Sequence, residues 1–481
     1  MIIKYEDLPD PADLFRKYPV SRAPKGNPRG RNKRKYLDCI CAFDIETSTE
    51  KILQLNFMYI WQFQIDDQCT VIGRRWYQFK EFMEKISEYL EDITLVCYIH
   101  NASYEFQYLK GIFEIGENDV FASDLRRIIK FTVLENIEFR CSMMLSNMSL
   151  KQFTHTMQVE HQKLDGTGIY EHVYYPWENL PEDVLKYSVY DVIGLVEAVK
   201  AIMKLHGDNL YTIPLTSTGY PRRDMKRAMK HYPHNKLQKT LPPIECYELL
   251  EKAFRGGDTH ANRYYAGIIL DDVVSADRSS SYPDVMCNCM YPMGEWIKDE
   301  PDPDVFRNLL QSDPPEAVLA KVALFNVKLT DPMNGDPYIP RDKCSAVIKG
   351  IYDNGRILSA EQLCIHITDI DWFIIEHDYQ FDELAVLELW HCRYGWLPNP
   401  FIKVICDYFE KKTALKGIKD QQMEYDKAKA KLNGLFGMVS MKQIKQEIIY
   451  RDGALHYDQS TSREEILSQA YKKAYSSYAW G

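Results

Sequence analysis

The 481-residue chain has no apolar run near the roughly 18 residues that a membrane-spanning helix requires, so no span and no membrane partner are expected. Its start, Met1-Ile2-Ile3-Lys4-Tyr5-Glu6-Asp7, lacks a basic region followed by a hydrophobic core; with no secretion signal visible, a cytoplasmic location and reduced cysteines are expected. Cys39/Cys41 and Cys287/Cys289 are the only close pairs among twelve cysteines, and nothing completes a four-ligand zinc set, which leaves buried structural thiols. Internal repeats and low-complexity stretches are absent. An excess of positive charge is missing too: 59 Lys+Arg against 69 Asp+Glu give a net −10, which at first sight argues against a nucleic-acid partner.

What binds phosphate, however, is a local field. Seven Lys/Arg and no Asp/Glu lie between Ser21 and Tyr36. Arg222, Arg223, Lys226, Arg227 and Lys230 form a second cluster, and Lys411, Lys412, Lys416, Lys419, Lys427, Lys429 and Lys431 a third. A single cluster of this kind reads as a solvated face. Here the bases are segregated from acidic residues that group elsewhere.

The pattern predicts alternating strands and helices at first, hence an α/β domain. Leu37–Phe43, Leu55–Trp61 and Leu95–Ile99 read as strands, Phe79–Leu90 and Leu185–Leu205 as helices, and Tyr211–Pro221 as a boundary. Further on, Ile268–Asp277 and Ala317–Leu329 read as strands, a helix-turn-helix follows Asn399-Pro400, and Asp452-Gly453 marks a hairpin.

Two groups of residues carry chemistry. Asp44 and Glu46 stand two apart at a strand end, so both carboxylates leave the same face, an arrangement suited to two divalent cations. Tyr187 and Asp191, at i and i+4, share a helix face, where the carboxylate can hold metal while the phenol orients a water. In the second group Asp277 ends an apparent strand and leads through Ser279-Ser280-Ser281 into Tyr282-Pro283. Lys429, Asn433 and Phe436/Gly437 form one helical stripe, able to meet a triphosphate and a base pair.

Read together, Asp44-Ile45-Glu46, His100-Asn101-Ala-Ser-Tyr104-Glu105, Tyr187-x3-Asp191, Asp277-x4-Tyr282-Pro283 and Lys429-x3-Asn433-x2-Phe436-Gly437 resemble the motifs of B-family DNA polymerases that carry a proofreading exonuclease. The resemblance spans nearly the whole chain and is strongest to the protein-primed phage and viral type. It implies metal ligation (Mg²⁺ or Mn²⁺) by Asp44, Glu46, Glu105 and Asp191 in the exonuclease and by Asp277 in the palm. Tyr187 would be the water-orienting residue. Thr47, Asn101 and Tyr104 match positions that hold a single-stranded 3′ end, and Lys163 falls where such enzymes place a lysine by the scissile phosphate. The implied nucleotide site consists of Tyr282, Lys429 and Asn433. Phe254-Arg255-Gly256-Gly257 is similar to the Tyr-x-Gly-Gly linker, which implies DNA contact by Arg255, Gly256 and Gly257. Glu105 replaces the usual aspartate and reaches about 1 Å further, compatible with a working site and with a weakened one. Asp369 and Asp371 imitate a catalytic pair but precede the lysine helix, in a segment similar to one in the terminal-protein region.

The implied fold is an α/β and α+β multidomain protein. It comprises a basic arm (1–36), a ribonuclease-H-like exonuclease domain (37–215), a linker and first part of the palm (216–304), a terminal-protein-region-like insertion with palm strands (305–396), helical fingers (397–437), and a hairpin with a partial palm (438–481). The implied function is a DNA-directed DNA polymerase with a 3′–5′ exonuclease, replicating viral or phage DNA in the host cytoplasm. Its partners would be template-primer DNA, deoxynucleotides and a terminal protein. The second carboxylate motif of the family, Tyr-x-Asp-Thr-Asp, is not found, so nucleotide transfer by this chain alone is expected to be undetectable. Two alternatives stand beside this reading: a stand-alone exonuclease with a degenerate polymerase body, and a non-catalytic DNA- or terminal-protein-binding subunit of a split polymerase.

Overall fold

The computed structural model describes residues 1–21, 34–52, 54–166, 168–333, 335–440, 447–458, 462 and 465. Most of the basic arm (22–33) and the terminal Tyr475–Gly481 lie outside the described residues. Two compact units are present. The first contains Met1–Tyr220, Leu415–Lys427 and the hairpin near the C-terminus; the second contains Pro221–Ala414 and the helix from Ala428 onward.

In the first unit the described residues form a nine-stranded sheet. Its strands are β1 (Ile2–Lys4), β2 (Val20–Ser21), β3 (Lys35–Glu50), β4 (Leu55–Ile65), β5 (Cys69–Gly73), β6 (Ile93–Ile99), β7 (Val120–Asp124), β8 (Arg127–Val133) and β9 (Ile137–Cys141). The order is β1-β5-β4-β3-β6-β9-β8-β7, with β2 also on β3. At the centre β3 runs antiparallel to β4 and parallel to β6. β3 continues past Phe43 because Thr47, Ser48 and Thr49 go on pairing with β4, after a bulge between Glu46 and Thr47.

A helix covers each face of this sheet. Trp76–Leu90 buries Phe79, Phe82, Met83 and Ile86 against Phe43, Trp61 and Phe63. Phe43 and Phe79 stack with ring centroids 4.4 Å apart. On the other face Glu182–His206 sets Val192, Leu195, Val196 and Val199 on Ala42, Val96 and Tyr98. Acidic Glu182 and Asp183 suit its first turn, and Gly207 ends it at φ 65°, a left-handed turn that returns its N–H to Lys204 and Met203. Asp191, in mid-helix, is thereby held over the strand that carries Asp44.

The Asp452-Gly453 hairpin forms, with strands Ile448–Arg451 and Ala454–Tyr457 and turn residues at φ 52° and 76°, as a two-residue turn of this hand requires. It was expected with the palm, yet it belongs to the first unit. Tyr450, 5% exposed, sits edge-on to Phe106 at 5.5 Å. Arg451 pairs with Glu117 at 2.7 Å, and Lys110 Nζ donates to Gly453 O at 2.9 Å. An isolated hairpin is marginal in water, so its apolar face takes a seat on a larger core. Leu415–Lys427 likewise joins this unit, where Lys427 Nζ donates to Leu205 O at 2.6 Å.

The second unit is built on an antiparallel sheet whose long strands are Glu316–Leu329, Arg356–Thr368 and Glu383–Gly395. Helices Asn399–Leu415 and Gln422–Val439 share a core through Phe401, Ile405, Leu432, Leu435 and Met438. One expectation fails here. No strand forms over Ile268–Asp277; the segment is irregular, with Ile269 92% and Val274 90% exposed. An apolar run becomes a strand only where a neighbour accepts its backbone hydrogen bonds, and none of the described strands pairs with it.

Candidate active site

The face of β3 beneath helix Glu182–His206 carries Asp44 and Glu46. Asp191 meets them there, and one oxygen from each of the three carboxyls lies within 4.8 Å of the others. Glu105, at the start of the short helix Glu105–Leu109, is 3% exposed and hydrogen-bonds through its side chain to Asp44. Lys163 Nζ pairs with Asp191 Oδ2 and stands 5.0 Å from the ring centroid of Tyr187, itself buried. All the residues named from sequence for this centre therefore come together, including Lys163, whose spacing to the other motifs fits only loosely.

So many acids in one buried place resist ionisation. Burial first, then the charge of Asp191, raises the Asp44 carboxyl to about 7. Burial, followed by Asp44 and Asp191, pushes Glu46 well up, and burial with Asp44 does the same to Glu105. For Asp191 burial raises and Lys163 opposes. Burial, then the Lys163 charge, lowers His100 to about 4, so its ring is neutral; its Nδ1 bonds Ser142 Oγ at 2.9 Å. Asp191 Oδ1 and Glu105 Oε2 are buried with no hydrogen-bond partner among the described residues. Four carboxyls beside Lys163, two of them with an orphaned oxygen, form an all-oxygen donor set, which fits the hard cations Mg²⁺ or Mn²⁺.

Beside the carboxylates opens a cleft of about 710 Å³, lined among others by Glu46, Thr47, Tyr59, Tyr104, His172 and Tyr174. Thr47 Oγ1 and Tyr104 OH are 2.7 Å apart. Asn101 is exposed at φ 68°, in the turn just before Tyr104. His172 and Tyr174 were not singled out from sequence; ring centroids 4.5 Å apart, they form an aromatic wall held by Tyr174 N donating to Ser48 Oγ at 3.0 Å. Their only signal was a place between Lys163 and Tyr187.

Lys163 is carried by a segment strapped to the long helix. His161 offers its backbone N at 3.0 Å and Nδ1 at 2.6 Å to the Glu197 carboxylate. A Cβ on Gly194 would lie 2.1 Å from His161 O, so only glycine lets the segment approach so closely.

In the second unit Tyr282 stacks on Phe436, ring centroids 4.0 Å apart and planes 19° from parallel. The Cα of Gly257 faces the same phenol; a Cβ there would lie 3.3 Å from Tyr282 OH. Lys429 and Asn433 are exposed on the helix that carries Phe436, and Lys412 Nζ donates to Ser280 Oγ at 2.6 Å. Asp277 is exposed in its irregular segment, not at a strand end as expected. Gly256 is exposed, with open space where a side chain would be. Arg255 turns inward, 12% exposed, 3.6 Å from Asp371 and 4.9 Å over the Tyr338 ring. Asp371 also accepts from Thr368 N at 2.7 Å and caps a helix, while Asp369 accepts from Val318 N at 3.3 Å and Tyr394 OH at 2.8 Å. That pair is structural.

In fold the chain is similar to Phi29 DNA polymerase complexed with primer-template DNA, at 15% identity and a TM-score of 0.64, over 87% of this chain and 71% of that one. It is similar also to Phi29 DNA polymerase complexed with single-stranded DNA, at 14% identity and a TM-score of 0.62, over 91% and 76%. The ternary complex of Phi29 DNA polymerase with primer-template DNA and incoming nucleotides gives 15% identity and a TM-score of 0.57, over 91% and 76%. No curated protein matches the sequence. The class is thus a multidomain polymerase fold of mixed α/β architecture. Residues 170–479 match the family described as DNA polymerase type B, organellar and viral, and the chain belongs to that family. Among the described residues no helix is long and apolar enough to cross a membrane.

Proposed function

We propose that the first unit is a 3′–5′ exonuclease for single-stranded DNA and that the second supplies the nucleotide-facing part of a protein-primed type B polymerase. The observation that carries this reading is the meeting of Asp44, Glu46 and Asp191 within 4.8 Å, with Glu105 bonded to Asp44. Asp44, Glu46, Glu105 and Asp191 would hold Mg²⁺ or Mn²⁺, which when bound supplies charge to activate water and to stabilise the departing oxygen. Tyr187 orients the attacking water. Lys163 balances Asp191 and offsets charge that develops on the phosphate. Thr47, Asn101 and Tyr104 bind the 3′ end by hydrogen bonds and stacking, with His172 and Tyr174 as the far wall.

In the second unit the Tyr282–Phe436 stack is the platform for sugar and base, Lys429 and Asn433 receive the triphosphate, and Gly256 and Gly257 let a DNA strand pass close. Asp277 is the metal ligand on this side, DNA and deoxynucleotides are substrates, and the 305–396 insertion meets a terminal protein. Arg255 anchors this linker to the insertion through Asp371. Work in the host cytoplasm follows from the viral reading.

Digestion of a labelled single-stranded oligonucleotide tests the proposal: the chain should shorten it from the 3′ end only with Mg²⁺ or Mn²⁺, and Asp44→Ala should abolish this. Digestion that survives Asp44→Ala would sink it. A second reading, a stand-alone exonuclease with a degenerate polymerase body, is favoured by one observation: Asp277 is exposed and off any described strand while the first unit's acids are assembled. Primer extension that needs only the chain and deoxynucleotides would remove it.

A further inference from the structure

Gln62, in the middle of β4, is wholly buried, and neither its Oε1 nor its Nε2 has a hydrogen-bond partner among the described residues. Buried polar groups are almost always partnered, so an amide left in this state asks for an explanation. Gln64, two residues on and facing the same way, shows the ordinary outcome: it accepts from Thr70 Oγ1 and donates to Asp66 O at 2.7 Å.

The register of the sheet says what Gln62 faces. Across the β3–β4 ladder it stands directly opposite Asp44, and across the β4–β5 ladder opposite Ile72. Opposed residues point to one face with Cβ atoms about 5 Å apart, well within reach of a glutamine amide. On that face Ile60 and Ile72 pack with Val184 and Val189 of the helix that brings Asp191 to Asp44. Along its row the amide thus has aliphatic carbon on one side and the Asp44 carboxyl on the other. The Asp44 side chain interacts with Glu105 here, and the amide itself is unclaimed among the described residues.

We propose that Gln62 is a positioning residue: its Nε2–H donates to the Asp44 carboxylate when that carboxylate holds a divalent ion, and so decides which oxygen faces the ion. The inference rests on the reading of Asp44, Glu46 and Asp191 as an ion site. Ligating carboxylates are commonly held by such outer hydrogen bonds, whose loss weakens metal binding by about 10- to 100-fold.

Gln62→Met removes both amide atoms and keeps length and bulk. In Mn²⁺ titrations of the full chain, followed by the paramagnetic resonance of free ion, the variant should bind about tenfold more weakly than wild type. Its thermal midpoint should equal or exceed that of wild type, because an unsatisfied buried amide has gone. Digestion of single-stranded DNA should lose kcat at unchanged KM. Gln62→Leu is the second variant, with the same expectations should the first fold poorly. Wild-type Mn²⁺ affinity in both variants overturns this inference and leaves the ion site standing. Equal affinity in wild type and Asp44→Ala overturns the ion site itself, and this inference with it.

Discussion

Lys163 Nζ lies 5.0 Å from the ring centroid of Tyr187 while pairing with Asp191, one helical turn further along. One cation thus touches the phenol and the carboxylate that the i, i+4 spacing sets side by side. Its removal takes away the one positive charge that, among the described residues, stands against these carboxyls. Lys163→Ala should lower kcat for digestion of single-stranded DNA by about 100-fold, in the range seen for a lost transition-state donor. Single-turnover digestion at saturating Mg²⁺ measures it; an unchanged rate would mean that the lysine serves stability alone.

Gly194→Ala sets two effects against each other. In a helix interior alanine is favoured over glycine by about 1 kcal/mol. Here its methyl would lie 2.1 Å from His161 O and push away the segment that carries Lys163. Overpacking of this kind costs about 1–3 kcal/mol, so the variant should be less stable, with kcat reduced more than KM is raised. Urea denaturation and steady-state digestion read both quantities. A stabilised variant of full activity would show that the segment does not need the close approach.

Glu138 anchors the strand beside β6. It meets Arg140 Nε and Lys130 Nζ at 2.7 Å and Arg34 at 3.0 Å, and is 1% exposed. Burial alone would raise its carboxyl, but Arg140 and Lys130 outweigh that and hold it at about 2, below its ordinary 4.5. Between those values the unfolded chain binds the proton and the folded one does not, so stability rises with pH across this window. The contribution is complete above about 4.5 and is lost as pH falls toward about 2. Urea midpoints from pH 2.5 upward should show the slope, and Glu138→Gln should flatten it. At pH 7 that variant should lose about 3–5 kcal/mol, because Arg140 stays buried and unpaired.

The acids of the first unit's site were legible in the sequence because short-range geometry carries them. Two residues along a strand share a face, and four along a helix share a face, so Asp44 with Glu46 and Tyr187 with Asp191 could be paired before any fold was known. Which strand lies opposite which could not be read that way. Gln62 looked like any polar residue in an apolar strand, and only the β3–β4 register sets it against Asp44. The hairpin was legible from Asp452-Gly453, but its seat on Phe106 depends on a contact across more than 300 residues of chain. Ile268–Asp277 shows the converse: its apolar pattern was that of a buried strand, and pattern cannot report that a neighbouring strand is required.

The central claim is that Asp44, Glu46 and Asp191 share a divalent ion. Anomalous diffraction from crystals soaked in Mn²⁺ tests it most directly. The account predicts a manganese peak within bonding distance of these three carboxylates, and none there in Asp44→Ala crystals. Manganese bound elsewhere, with those carboxylates left bare, would contradict it.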